Sequence, residues 1–397
     1  MKNSTIYIYI TAVTAFVCIC GILFAVLPAL SPSSPEAVAS EFYSMHTSFS
    51  LEKARDMLNL CSASYYPESL EALMKEGGYT DFEYFERSQS TKTSNGIAAG
   101  IALKHEEEIT RIIVVFRGTY KEEWYSNFNI GDDVEHKGFS DAAAFSLEQI
   151  EDYINRKGIA KQQTILEITG HSRGGAVANL AAKEFTDSAE MYDVYAYTFA
   201  SPNTTTAENA CDKKYGSIFN ICNSEDFICY IPLNKWGYTK YGTTIELPKA
   251  DSPEYTDNLS SLEEQFYALS EKSFVTYPHG NKAVESFIED CENIAPSLWD
   301  YYNKEIKCDP YTITLSEYMD SAATLLSGKK SLTDAMLLLS SSNSASLSPI
   351  TNFIISGIDL EDINEKTDLS DSALGCAHAY ETYMAWLSIL GEDYFTE

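Results

Sequence analysis

Residues 164–175 read Thr-Ile-Leu-Glu-Ile-Thr-Gly-His-Ser-Arg-Gly-Gly, and a small-residue helix pattern, Ala176–Ala182, follows at once. A β-rich run, a very tight turn with a serine at its corner, and an immediate helix constrain the fold more than any other stretch. In such a turn the positions two before and two after the serine have room for almost no side chain, which accounts for Gly170 and Gly174. The bend lifts the Ser172 hydroxyl above the C-terminal edge of a sheet, beside the positive end of a helix.

The surrounding pattern agrees with that geometry. A helix is predicted over 51–62, with Leu51, Ala54, Met57 and Leu58 on one face. Residues 97–103 and 109–116 are β-rich and flank the charged turn Lys104–Glu108, so they pair as a hairpin. Helices are predicted at about 140–156 and from the turn to about 185, with short strands at 194–199 and 218–223. A last helix covers about 372–390. Strands alternating with helices predict an α/β fold: a mainly parallel central sheet with helices on both faces.

The 397-residue chain carries 58 acidic against 28 basic side chains, a net charge of −30. Such a surface repels phosphate backbones and anionic headgroups and argues against a nucleic-acid partner. Lys2 precedes an uncharged stretch, Ser4 to about Ser34, whose apolar heart runs from Ile6 to Leu30 and is long enough to span a bilayer. With Lys2 on one side and Glu36 and Glu41 on the other, the bulk of the chain is expected outside the cytoplasm. A retained membrane anchor is favoured over a cleaved signal, although Ala37-Val38-Ala39 resembles a cleavage site.

Four segments result: 1–34, the N-terminal anchor or signal with its linker; 40–231, the core; 232–370, a Tyr-rich, acidic, helix-rich insertion or cap; and 371–397, a return to the core. Of nine cysteines, Cys18 and Cys20 fall in the apolar segment. Cys211–Cys222 and Cys291–Cys308 are sequence-local candidates for bridges, and the odd number remaining leaves a thiol unpaired. No ligand spacing suggests a metal, and no cofactor is expected.

A serine hydroxyl becomes a nucleophile when a base takes its proton, usually a histidine oriented by a carboxylate. The order Ser, acid, His leaves His279 and His378 among six histidines. Asp226, at a turn after an apolar run, is the expected acid, with Glu225 as the neighbour to distinguish from it. An oxyanion hole needs two preorganised N–H groups. Arg173 supplies one, and Thr119, at the bend of Phe116-Arg117-Gly118-Thr119, supplies the other.

Phe116-Arg117-Gly118-Thr119, Trp124, His136-Lys137-Gly138-Phe139, Gly170-His171-Ser172-Arg173-Gly174-Gly175, Phe199-Ala200-Ser201-Pro202 and Asp226 before Ile231-Pro232 together resemble the class 3 (fungal-type) lipase family. The resemblance covers about 95–235 and the final helix. It implies an α/β-hydrolase fold and a Ser–Asp–His triad cleaving carboxylic esters of lipids, triacylglycerols first. A phospholipase, a short-chain esterase or a non-catalytic lipid-binding surface protein are the alternatives. It further implies that Ser172 is the nucleophile, Asp226 the acid, Thr119 an oxyanion donor and His136 structural, and that Tyr120–Asp132 forms a lid; Ala335–Leu339 is a second lid candidate but is expected instead to be a buried helix of the insertion. Two features depart from the family: a charged Arg173 after the serine, and the long insertion before the histidine. By local pattern His378, leading into an aromatic-bearing helix, is the expected base, ahead of His279.

Overall fold

The computed structural model describes residues 49–88, 95–120, 123–191, 193–308, 311–317 and 372–395. The N-terminal apolar segment, its linker and Ala335–Leu339 lie outside them. In chain order the elements are α1 (Leu51–Ala63), α2 (Pro67–Glu76), β1 (Thr80–Arg87), β2 (Ile97–Glu106), β3 (Ile109–Phe116), α3 (Trp124–Asn127), α4 (Lys137–Lys157), β4 (Thr164–His171), α5 (Arg173–Ser188), β5 (Asp193–Phe199), β6 (Ile218–Cys222) and β7 (Thr243–Glu246). They continue with α6 (Pro253–Ser270), α7 (Asn281–Ile294), α8 (Leu298–Asn303), β8 (Glu305–Cys308), β9 (Tyr311–Thr314), α9 (Ala373–His378) and α10 (Tyr380–Ile389).

β1 to β7 form one sheet in sequential order, antiparallel from β1 to β3 and parallel from β3 to β7. A parallel strand covered on both faces has no solvent side, and all eight residues of β4 are buried. One face packs Phe139, Ala142 and Ile150 of α4 and Val177 and Leu180 of α5 against Val114, Ile168 and Ala196. The other face packs Leu51 and Leu58 of α1 and Trp386 of α10 against Ile113, Tyr197 and Phe219. Glu167, fully buried on β4, is neutralised by Lys53 and Arg111 and accepts a hydrogen bond from Tyr79. That pairing ties α1 to the sheet without leaving a bare charge in the core.

The sequence pattern shows five of the seven strands. β1 is a half-exposed edge, and β7 is four residues with little apolar content. Because β7 lies at 243–246, the sheet extends past residue 231, where the insertion was expected to begin. Beyond it, α7, α8, β8 and β9 build a separate apolar cluster in which Phe287, Ile294 and Ile306 meet Ile130, Phe227 and Ile228. The insertion is therefore docked over the C-terminal ends of the strands, where a parallel sheet presents its sites.

Candidate active site

Ser172 lies between the end of β4 and the first residue of α5, with φ 57° and ψ −129°. The positive φ is the strain expected of a non-glycine residue forced around this bend. A side chain at Gly170 would run into the Gly174 backbone, and one at Gly174 would come within 2.5 Å of the Phe116 carbonyl. The Ser172 N–H donates to the Phe199 carbonyl at 2.9 Å, fixing the turn against β5.

The structure brings three expected residues together. His378 Nε2 lies 2.9 Å from Ser172 Oγ, and His378 Nδ1 lies 2.8 Å from Asp226 Oδ2. An Nδ1–H that donates to the carboxylate leaves Nε2 as the acceptor for the serine proton. His279 is exposed in the turn before α7, without such contacts. Glu225 turns the other way, accepting a hydrogen bond from Tyr255 at 2.8 Å.

Further side chains hold this arrangement. Asp226 Oδ1 accepts the Ile228 N–H at 3.1 Å, and Oδ2 also accepts the Tyr383 hydroxyl at 2.8 Å. His171 Nε2 donates to the His378 carbonyl at 2.9 Å, and Asn223 donates to the Ala377 carbonyl at 3.0 Å. The two bonds pin the short helix α9 that carries His378. Burial, and then the neighbouring His378, lower His171 to a pKa of about 3, so it stays neutral.

The parallel register sets Phe116 beside Gly170, so the loop after β3 and the turn after β4 emerge side by side. In the first loop Glu123 accepts the Arg117 guanidinium and the Tyr120 N–H, both at 2.7 Å, and bridges the stretch that presents Thr119. Arg173, as the first residue of α5, has no intrahelical acceptor for its N–H. The Arg173 side chain is buried, donating to Asn127 Oδ1 at 2.8 Å and to the Gly96 carbonyl at 2.7 Å. Burial is the largest cause lowering its pKa to about 10, which leaves it charged near neutral pH.

His136 is buried, stacks on Phe139 with centroids 3.8 Å apart, and reaches the Asn127 carbonyl through Nε2 at 3.2 Å. A side chain at Gly138 would collide with the Ser126 carbonyl. The His-x-Gly-Phe element thus joins α4 closely to α3.

Phe128, Pro202, Ile228, Phe287 and Ile294 line an apolar cavity of about 150 Å³, with Arg173 and Asn127 at its wall. α7 supplies part of that lining, so the insertion contributes directly to the space beside the turn. Within the described part of the lid candidate, Tyr125 and Ile130 are buried.

Tyr383, Asn127 and the donor role of His171 were not foreseen. Tyr383 lies five residues after His378 but on the next helix, past a break at Ala379, so that spacing does not fix which way it faces. Asn127 carries no sequence signal. The cysteine expectation needs correction: Cys211 and Cys222 are free, the first exposed at a turn and the second buried at the end of β6. Cys291 is free too, and its expected partner Cys308 has no described side chain. Among the described residues no group of His, Cys, Asp or Glu could hold a metal, and no helix is long and apolar enough to cross a membrane.

Residues 113–236 match the family model "Lipase (class 3)". A secreted mono- and diacylglycerol lipase 1 of Fusarium solani is 26% identical over 188 residues, which is 45% of this chain and 53% of that protein. The chain thus spans about half the length of this curated relative. Among solved structures, the native Rhizomucor miehei lipase–propeptide complex aligns with 18% identity over 50% of this chain and 68% of that one, with a TM-score of 0.39. Lipase II of Rhizopus niveus aligns with 15% identity over 49% and 80%, with a TM-score of 0.38. The stretch that matches the class 3 lipase model, 113–236, is the one that carries the serine turn and the parallel strands β4 to β6 of the sheet.

Proposed function

We propose that the protein is a serine carboxylic-ester hydrolase acting on lipids, with Ser172, His378 and Asp226 as its triad. The observation that carries this reading is the unbroken run of hydrogen bonds Ser172 Oγ–His378–Asp226, on groups all buried together. Ser172 Oγ attacks the acyl carbonyl while His378 Nε2 takes its proton. The Asp226 carboxylate stabilises the imidazolium. The N–H groups of Thr119 and Arg173 receive the oxyanion. As the tetrahedral adduct collapses, His378 returns the proton to the departing alcohol and the acyl group remains on Ser172. Water, deprotonated by His378, then releases the fatty acid. The chemistry uses no metal or cofactor.

The apolar cavity beside Arg173 and Ile228 takes the acyl chain in this reading. Its almost wholly apolar lining suits a hydrocarbon chain rather than a charged group. We further propose that the protein works outside the cytoplasm, tethered by its N-terminal segment or released. Hydrolysis of tributyrin emulsions, soluble short-chain esters and phospholipid vesicles by wild type and Ser172→Ala tests the assignment. Turnover of the first two, lost in the variant, is expected. Turnover confined to vesicles would make it a phospholipase. No turnover of any substrate by folded protein would favour a lipid-binding role.

A further inference from the structure

We infer that the side chain of Arg173, the residue after the nucleophile, is a positioning residue. It fixes the polarity of a hydrogen-bond chain that leaves the Thr119 hydroxyl free to donate to the oxyanion. The inference rests on the hydrolase reading above.

A guanidinium has only donors. Arg173 Nη1 therefore compels Asn127 to face it with Oδ1, at 2.8 Å. The same amide then turns its Nδ2 to Thr119 Oγ1, at 3.0 Å, where it can only donate. The Thr119 oxygen is used as an acceptor, and among the described residues nothing takes its proton. The guanidinium cannot easily leave this post. Nη2 is held by the Gly96 carbonyl, the Phe139 ring lies 5.6 Å beneath, and no carboxylate among the described residues is within ion-pair distance. With an apolar residue at 173 the Asn127 amide could turn over, offer its oxygen to Thr119 and draw the hydroxyl proton away from the hole. A charge thus stands where the family usually places a small or apolar side chain, and it has a definite task there.

The test is a double-mutant cycle on the full chain. Arg173→Met, Thr119→Val, the double variant, Arg173→Lys and Asn127→Asp are assayed on a soluble butyrate ester, and folding is checked by thermal melting. Removing an oxyanion donor is costly, so Arg173→Met is expected to lower kcat about tenfold or more with little change in KM. In the Thr119→Val background the same change should cost less than about twofold. Arg173→Lys, which keeps donors, should recover part of the loss. Asn127→Asp, nearly isosteric, offers only acceptors to Thr119 and should lower kcat like Thr119→Val. It decides the matter if Arg173→Met does not fold. An equal loss in both backgrounds, or full activity of Arg173→Met or Asn127→Asp, would overturn the inference while leaving the hydrolase reading intact. An inactive, folded wild type would defeat the hydrolase reading itself.

Discussion

At the scale of single residues, two histidines separate the account from its nearest rival. His378→Ala is expected to lower kcat at least about a thousandfold, whereas His279→Ala should leave it within about twofold. Steady-state kinetics on one soluble ester checks both. Tyr383→Phe removes one of the donors to Asp226 Oδ2. The carboxylate then loses a group that holds it toward His378, so kcat should fall about threefold or more at little change in KM. An unchanged kcat would show that the hydroxyl does not help to position the carboxylate. The serine and its two glycines were legible in the sequence because the bend excludes side chains. His378 was legible only through its leading position before an aromatic helix. Tyr383 and Asn127 were not, because each acts through a contact between segments distant in the chain, and such contacts leave no local pattern.

At the scale of elements, the turn and the α3–α4 junction carry the strain. Gly174→Ala drives a methyl against the Phe116 carbonyl and should cost at least about 2 kcal/mol, read as a lower urea midpoint. His136, against the Asn127 carbonyl, is held neutral by burial and by Arg173, with its pKa lowered to about 3. The unfolded chain protonates this histidine below about pH 6.5 and the native state does not. Between about pH 6.5 and 3 the unfolded state binds the extra proton, so acidification costs stability, at most about 1.4 kcal/mol per pH unit. Urea midpoints from pH 7 to 4 should therefore fall less steeply in His136→Asn than in wild type. Equal slopes would refute the depressed pKa. β3 to β6 were readable as apolar runs because both faces are covered. β1 and β7 were not, because edge strands need few apolar residues and take their register from a neighbour.

At the scale of the whole molecule, the insertion is docked rather than separate. Phe287 and Ile294 share an apolar cluster with Phe227 and Ile228, next to Asp226. No periodicity in the sequence could have placed α7 there, because docking is a long-range outcome. The net charge of −30 opposes compaction through self-repulsion, which salt screens. Raising sodium chloride from about 10 mM to 500 mM should raise the melting temperature, and a flat or falling response would mean that local pairs already neutralise the surface. The central claim is that His378 and Asp226 make Ser172 a nucleophile. The intact mass of the full chain after exposure to a fluorophosphonate tests it most directly. Wild type should gain a single adduct that peptide mapping places on Ser172, while folded Ser172→Ala and His378→Ala gain none in the same time. An unlabelled wild type, or an adduct that persists in Ser172→Ala, would contradict the account.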